Sequence, residues 1–112
     1  EVACLFNELG AFSICSFLAP HREIRQKARQ AIGSDSFLEI HVSASLEFCR
    51  GRDKEGLYAK ADAGEILNFP GVTTVYEAPE NPDLTVSLER DSIEECVARI
   101  IGLLEERGFL TV

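Results

Sequence analysis

The sequence has no tryptophan and no methionine, and only two tyrosines beside seven phenylalanines. No apolar run approaches the ~20 residues that a membrane-spanning helix needs, and no basic-then-apolar leader of the signal-peptide kind opens the chain. An excess of positive charge is also lacking. Eleven Lys and Arg stand against nineteen Asp and Glu, a formal net charge of -8, which argues against nonspecific nucleic-acid binding, since that requires a basic face. No C-x-x-C pair joins any of the four cysteines at 4, 15, 49 and 96. Cys15, Cys49 and Cys96 fall within apolar patterns, which predicts buried, reduced thiols and hence a reducing, cytoplasmic compartment. His21 and His41 have no metal-ligand spacing to each other or to a cysteine, and no structural metal is predicted.

What remains is enough for one domain at most. The chain has 112 residues, 46% of them hydrophobic, and a pI near 4.7; such a balance builds a core rather than a disordered tail. It opens at Glu1-Val2-Ala3 with no initiating methionine, and we expect a segment of a longer polypeptide. Charge is unevenly spread: residues 1–52 hold six acids and six bases, whereas 53–112 hold thirteen acids and five bases. The plain reading of that asymmetry is a solvated acidic face.

Local patterns predict an α/β order. Val2, Leu5, Phe6 and Leu9 fall at helical spacing before Gly10. The apolar run 11–18 suits a buried parallel strand. Pro20 opens a helix to about Ile32, stopped by Gly33, and a strand follows over 37–42. A short helix with Ser45 as its N-cap then runs to about Gly51. Residues 52–83 lack a sustained period and read as a functional lid or a disordered segment. Residues 84–86 suit a last short strand. The final helix is the plainest, with Ser92 and Glu95 forming a capping box and Ile93, Cys96, Val97, Ile100, Ile101 and Leu104 lining one face. Together these predict part of an open parallel sheet with flanking helices. Its ligands would sit beyond the strand ends near 16–19 and 42–45.

Four blocks carry more than pattern: Ser16-Phe17-Leu18-Ala19-Pro20-His21-Arg22, Arg52-Asp53-Lys54-Glu55-Gly56-Leu57-Tyr58, Ala63-Gly64-Glu65-Ile66-Leu67-Asn68-Phe69-Pro70-Gly71-Val72 and Tyr76-Glu77-Ala78-Pro79-Glu80-Asn81-Pro82. In order and spacing they resemble the adenylylsulfate kinase (APS kinase) family over essentially the whole chain. The resemblance implies a P-loop kinase fold and transfer of the γ-phosphoryl of ATP to the 3′-hydroxyl of adenosine 5′-phosphosulfate (APS), giving PAPS. It further implies Mg²⁺, a cytoplasmic location, a homo-oligomer, and in some members fusion to an ATP sulfurylase domain. No partner of nucleic-acid or membrane type is implied.

No G-x-x-x-x-G-K-[ST] occurs in these residues, so they carry no phosphate cradle and no hydroxyl for Mg²⁺. We expect the first strand, the P-loop and most ATP and Mg²⁺ contacts to lie upstream of Glu1. Residues 1–112 would then be a partial domain, inactive alone, to which no catalytic residue or metal ligand is assigned. The resemblance puts Leu18, Ala19, Lys54, Asn68 and Phe69 on the APS side, with Phe69 as the lid aromatic against adenine. It puts Arg52, Ala78, Pro79 and Pro82 around the ATP base, and Lys60 in a lid spanning about 53–77 that is mobile without ligand. Ala19 stands where the family usually has Ser, which in-line transfer tolerates because it needs no enzyme nucleophile.

The lid departs from the family at Glu55, Ala59, Asp62 and Leu67, where bases are favoured, and at Pro70. With five acids and two bases over 53–77, it is expected to repel polyanionic substrates rather than clamp them. Two other readings follow: a kinase-like domain that has lost catalysis and binds PAPS as a regulator of an ATP sulfurylase, and a kinase for another small molecule.

Overall fold

A computed structural model describes residues 1–111. Helix α1 (Val2–Glu8) ends before Gly10, whose φ of 76° lets the chain turn in a way other residues resist. Helix α2 (Arg22–Ile32) begins just after Pro20 and stops at Gly33. Strand β1 (Ile40–Ser43) lies parallel to β2 (Leu84–Ser87), in register from Ile40 opposite Leu84 to Ser43 opposite Ser87. Between them come α3 (Leu46–Gly51), capped by Ser45 accepting from the Phe48 amide, and α4 (Leu57–Asp62). Helix α5 (Ile93–Glu106) follows β2, with the Ser92–Glu95 capping box formed in both directions.

The core sits where α5 covers β2. Val86, Cys96 and Leu103 are buried there, and Ala61 is buried on α4. Arg99 extends the contact, donating to the Thr85 carbonyl at 2.9 Å and to Asp91 at 3.0 Å.

Three expectations are corrected. Residues 11–18 form no strand: among the described residues no strand pairs with them, and Phe12, Ile14, Phe17 and Leu18 are exposed. A strand is defined by a neighbour's hydrogen bonds, and the sheet here consists of β1 and β2 alone. Cys15 accordingly faces solvent and Cys49 is half-buried, so of the three thiols expected inside only Cys96 is buried. The stretch 52–83, read as irregular, contains the two-turn helix α4.

The exposed apolar run has a measurable consequence. The accessible surface is 8366 Å², against about 6100 Å² expected for a compact 12.4 kDa monomer. The radius of gyration is 16.1 Å, against about 13 Å for a compact chain of this length.

Candidate functional site

Beyond the C-terminal end of β1 lies an open cleft of about 620 Å³, walled by Ala44 and Leu46 on one side and the segment 71–76 on the other. This is one of the two strand ends at which the topology predicts a ligand. Residues 71–74 of its far wall belong to a tight turn that starts at Phe69. The Phe69 carbonyl accepts from the amides of Val72 (3.1 Å) and Thr73 (2.9 Å), and the Gly71 amide donates to the Thr74 carbonyl at 2.7 Å. Gly71 suits the turn because its φ is 87°, where an L side chain is strained, and a Cβ there would stand 3.2 Å from Leu46 Cδ2, a tight contact.

Phe69 itself is half-buried and fixed from two directions. Its ring meets Tyr58 edge-on, 4.8 Å between centroids at 73°, a favourable arrangement of aromatic quadrupoles. Its amide donates to Thr73 Oγ1 at 2.7 Å, and that hydroxyl donates onward to the Ile66 carbonyl at 3.1 Å. Asn68 and Lys60 are exposed.

Helix α4, which carries Tyr58 and Lys60, owes its start to Asp53. Asp53 Oδ1 accepts from the Leu57 amide at 2.8 Å and Oδ2 from the Tyr58 amide at 3.0 Å, satisfying orphan donors of the first turn. Asp53 is therefore committed to the helix, and its neighbour Arg52 lies over the Phe48 ring, 5.3 Å from its centroid, a cation–π contact. The Lys54 amide donates to the Arg52 carbonyl at 2.9 Å, leaving the Lys54 side chain in solvent. Burial raises the Tyr58 hydroxyl pKa, with the hydrogen bond to Cys49 acting in the same direction.

The corner at Ala19 and the turn at 77–79 meet. Ala19 has φ 37°, a conformation that costs a non-glycine residue on the order of 1–3 kcal/mol. Its carbonyl accepts from Arg25 Nη1 at 2.6 Å, and the Pro20 carbonyl accepts from the Glu77 amide at 2.8 Å. Arg22 donates its amide to Glu77 Oε2 at 3.0 Å and its Nε to the Ala78 carbonyl at 3.0 Å. The backbone bond from Arg22 dominates in holding the Glu77 carboxyl below its usual range. Pro79 and Pro82 are half-buried at the two ends of the same turn, whose outer side borders a second cleft of about 470 Å³ with Arg22, Arg25, Arg29, Glu39 and Asp83. Leu18 is exposed ahead of this corner.

The structure thus brings the Ala19 corner to the turn at Glu77 and Ala78 through Arg25 and Arg22, and Phe69 to Tyr58 of α4, while Asn68, Lys54 and Lys60 are exposed. Sequence reasoning missed Phe48, Asp53, Thr73, Arg25 and Glu77. The acidic residue at 53, four positions before Leu57, was a readable cap signal; the contacts of Arg25 leave no local trace.

Three of the five acids in 53–77 have fixed partners. Asp53 caps α4, Asp62 pairs with Arg50 at 2.9 Å, and Glu77 is held by Arg22 with His21 3.7 Å away. Glu55 and Glu65 remain as exposed charges.

The family model described as adenylylsulphate kinase matches residues 1–87. The chain is 45% identical over 111 residues to an adenylyl-sulfate kinase of Halothermothrix orenii, covering 99% of this chain and 59% of that protein. It is 47% identical over 110 residues to the bifunctional enzyme CysN/CysC of Rhodopirellula baltica, covering 98% of this chain and 17% of that one. Among solved structures, the Mycobacterium tuberculosis APS kinase CysC in complex with AMPPNP and APS superposes with a TM-score of 0.82 at 38% identity, over 93% of this chain and 61% of that one. The chain spans between about half and three-fifths of the length of the single-function kinases it matches.

Proposed function

Because the chain belongs to the adenylylsulphate kinase family, we propose that it forms the substrate-facing part of an enzyme that phosphorylates APS. In that reaction the bond from the γ-phosphorus of ATP to its bridging oxygen breaks, a bond to the 3′-oxygen of APS forms, and the hydroxyl proton is released. ADP and PAPS leave. The activity belongs to the full polypeptide that carries these residues. The observation that carries the reading is the cleft at the end of β1 with the Phe69 turn fixed on its wall.

Each residue then has a definite task. A flat ring already held by Tyr58 and Thr73 offers adenine of APS a stacking face without first being ordered, worth about 1–3 kcal/mol by analogy with base stacking. Asn68 lies beside it, and Leu18 and Ala19 shape the same substrate's pocket through backbone. Arg52, steadied on Phe48, stacks on the ATP base, where a planar guanidinium also suits phosphate. Ala78, Pro79 and Pro82 form the opposing rigid wall. Lys54 and Lys60 supply positive charge to a lid over 53–77 that closes on the nucleotides.

ATP arrives with Mg²⁺. Among the described residues no three His, Cys, Asp or Glu side chains converge to hold a metal. The similarity to a bifunctional enzyme supports fusion to a second sulfate-activating domain. From the family resemblance we place the enzyme in the cytoplasm as a homo-oligomer; no helix among the described residues is long and apolar enough to cross a membrane.

The test is APS-dependent ADP release by the full polypeptide with ATP and Mg²⁺, repeated with Phe69→Ala. Turnover with a KM for APS raised roughly 5- to 150-fold in the variant, the range that stacking energy implies, supports the reading. Absence of turnover with retained PAPS binding would replace it with a regulatory, PAPS-sensing domain. Absence of both would remove it.

A further inference from the structure

We infer that Arg25 is a positioning residue that sets the APS side of the site against the ATP side. Its side chain is only 11% exposed, and its guanidinium reaches three separate segments. Nη1 donates to the Ala19 carbonyl, Nη2 donates to the Glu77 carbonyl at 2.5 Å, and Nε lies 3.6 Å from Glu39 Oε2 just ahead of β1. These are the strand-to-helix corner, the turn leading to Ala78 and Pro79, and the edge of the sheet.

The geometry asks for such a clamp. Ala19 holds a positive φ that alanine does not adopt unaided, and the arginine fixes the carbonyl of that very residue. The Glu77 amide bond to Pro20 and the Arg22 bonds to Glu77 and Ala78 run between the same two segments. The Arg25 guanidinium ties both to Glu39, just ahead of β1. A planar fork with several donors can satisfy two carbonyls and a carboxylate at once, whereas an ammonium is a compact point charge.

The consequence, which rests on the kinase reading, is about alignment. In-line transfer has no enzyme nucleophile to compensate for a misplaced acceptor, and a displacement of about 1 Å costs on the order of 100-fold in rate. Arg25 touches no expected substrate atom, so its loss should appear in turnover before binding.

The decisive experiment uses the full polypeptide with Arg25→Lys and Arg25→Ala. We expect kcat per correctly folded site to fall about 10- to 100-fold in both, with KM for APS and for ATP changing less than about 3-fold. Added guanidinium should partly restore the Arg25→Ala rate but not that of Arg25→Lys. Amide exchange at Glu77 is read in parallel and should accelerate in both variants; this arm holds even if the wild type proves to have no kinase activity. Unchanged kcat per folded site in an active wild type, with only a lowered Tm, would overturn the positioning role. Unchanged exchange at Glu77 would overturn the clamp itself.

Discussion

Arg50 and Asp62 form a two-pronged ion pair, Nε to Oδ2 at 3.2 Å and Nη2 to Oδ1 at 2.9 Å, that joins the last turn of α3 to the last turn of α4. The planar guanidinium suits this bidentate geometry. An acid that looks misplaced beside a polyanion site therefore has a local partner, and helix α4 is held at its start by the Asp53 cap and at its end by this pair. Both side chains are nearly half-exposed, which limits the energy to that of a surface pair, about 0–1 kcal/mol.

Asp62→Asn should accordingly lower global stability by less than about 1 kcal/mol while loosening α4 specifically. Amide exchange over 59–62 should quicken in the variant. Raising salt toward 1 M should have the same effect on the wild type and little further effect on the variant, because screening weakens exposed pairs. Equal exchange in wild type and variant at low salt would show that the pair does not anchor the helix.

Asp53→Ala should cost more. It removes the acceptor for the Leu57 and Tyr58 amides, and loss of such a cap costs about 0.5–2 kcal/mol. Because Tyr58 supports the Phe69 ring, the loss should reach the nucleotide site, raising KM for APS in the full polypeptide. Asp53→Asn and Asp53→Ser keep a capping oxygen and should retain most of the stability. If all three variants unfold alike in denaturant, capping is not what Asp53 contributes.

Acid sensitivity should concentrate on Asp83. Burial pushes its carboxyl upward, but the Glu39 amide at 2.7 Å, Arg29 at 2.9 Å and Arg107 at 3.3 Å outweigh that and hold it below the usual value. A depressed folded-state value means the stabilisation is complete above the unfolded carboxylate range, near pH 4, and is lost as pH falls through the lower folded value. Asp83→Asn should remove this part of the acid limb. A plot of unfolding free energy against pH should flatten below about pH 4 in the variant, and identical slopes there would sink the assignment.

The sequence made legible whatever depends on neighbours in the chain. The Ser92–Glu95 box, the Ser45 cap and the glycine stops at 10, 33 and 108 follow from local backbone chemistry, and each stands where local rules put it. The strand over 11–18 failed because apolarity is local and pairing is not. Helix α4 was hidden because two turns show no period; only Asp53 announced it. Within the site, Phe69 stood out as an aromatic among glycine and proline. The bonds from Arg22 and Arg25 to Glu77 and Ala78 were hidden, since partners more than fifty residues away leave no mark on the local pattern.

The exposed segment 11–18 leads to a prediction about residues 1–112 taken alone. Phe12, Ile14, Phe17 and Leu18 are each more than half exposed, with Leu5 and Leu9 of the preceding helical stretch also uncovered. A stable monomer rarely leaves so much contiguous apolar surface in water, and the accessible area exceeds the compact expectation by about a third. The isolated chain should therefore bind a hydrophobic dye such as ANS, keep far-UV helical signal, and self-associate with rising concentration rather than melt as a cooperative monomer. Phe12→Ser with Ile14→Ser should reduce dye binding and association together, because these side chains contribute surface and little packing. A sharp, concentration-independent transition without dye binding would mean instead that 1–112 folds on its own, and that residues 11–18 are covered in solution by a rearrangement of the chain itself.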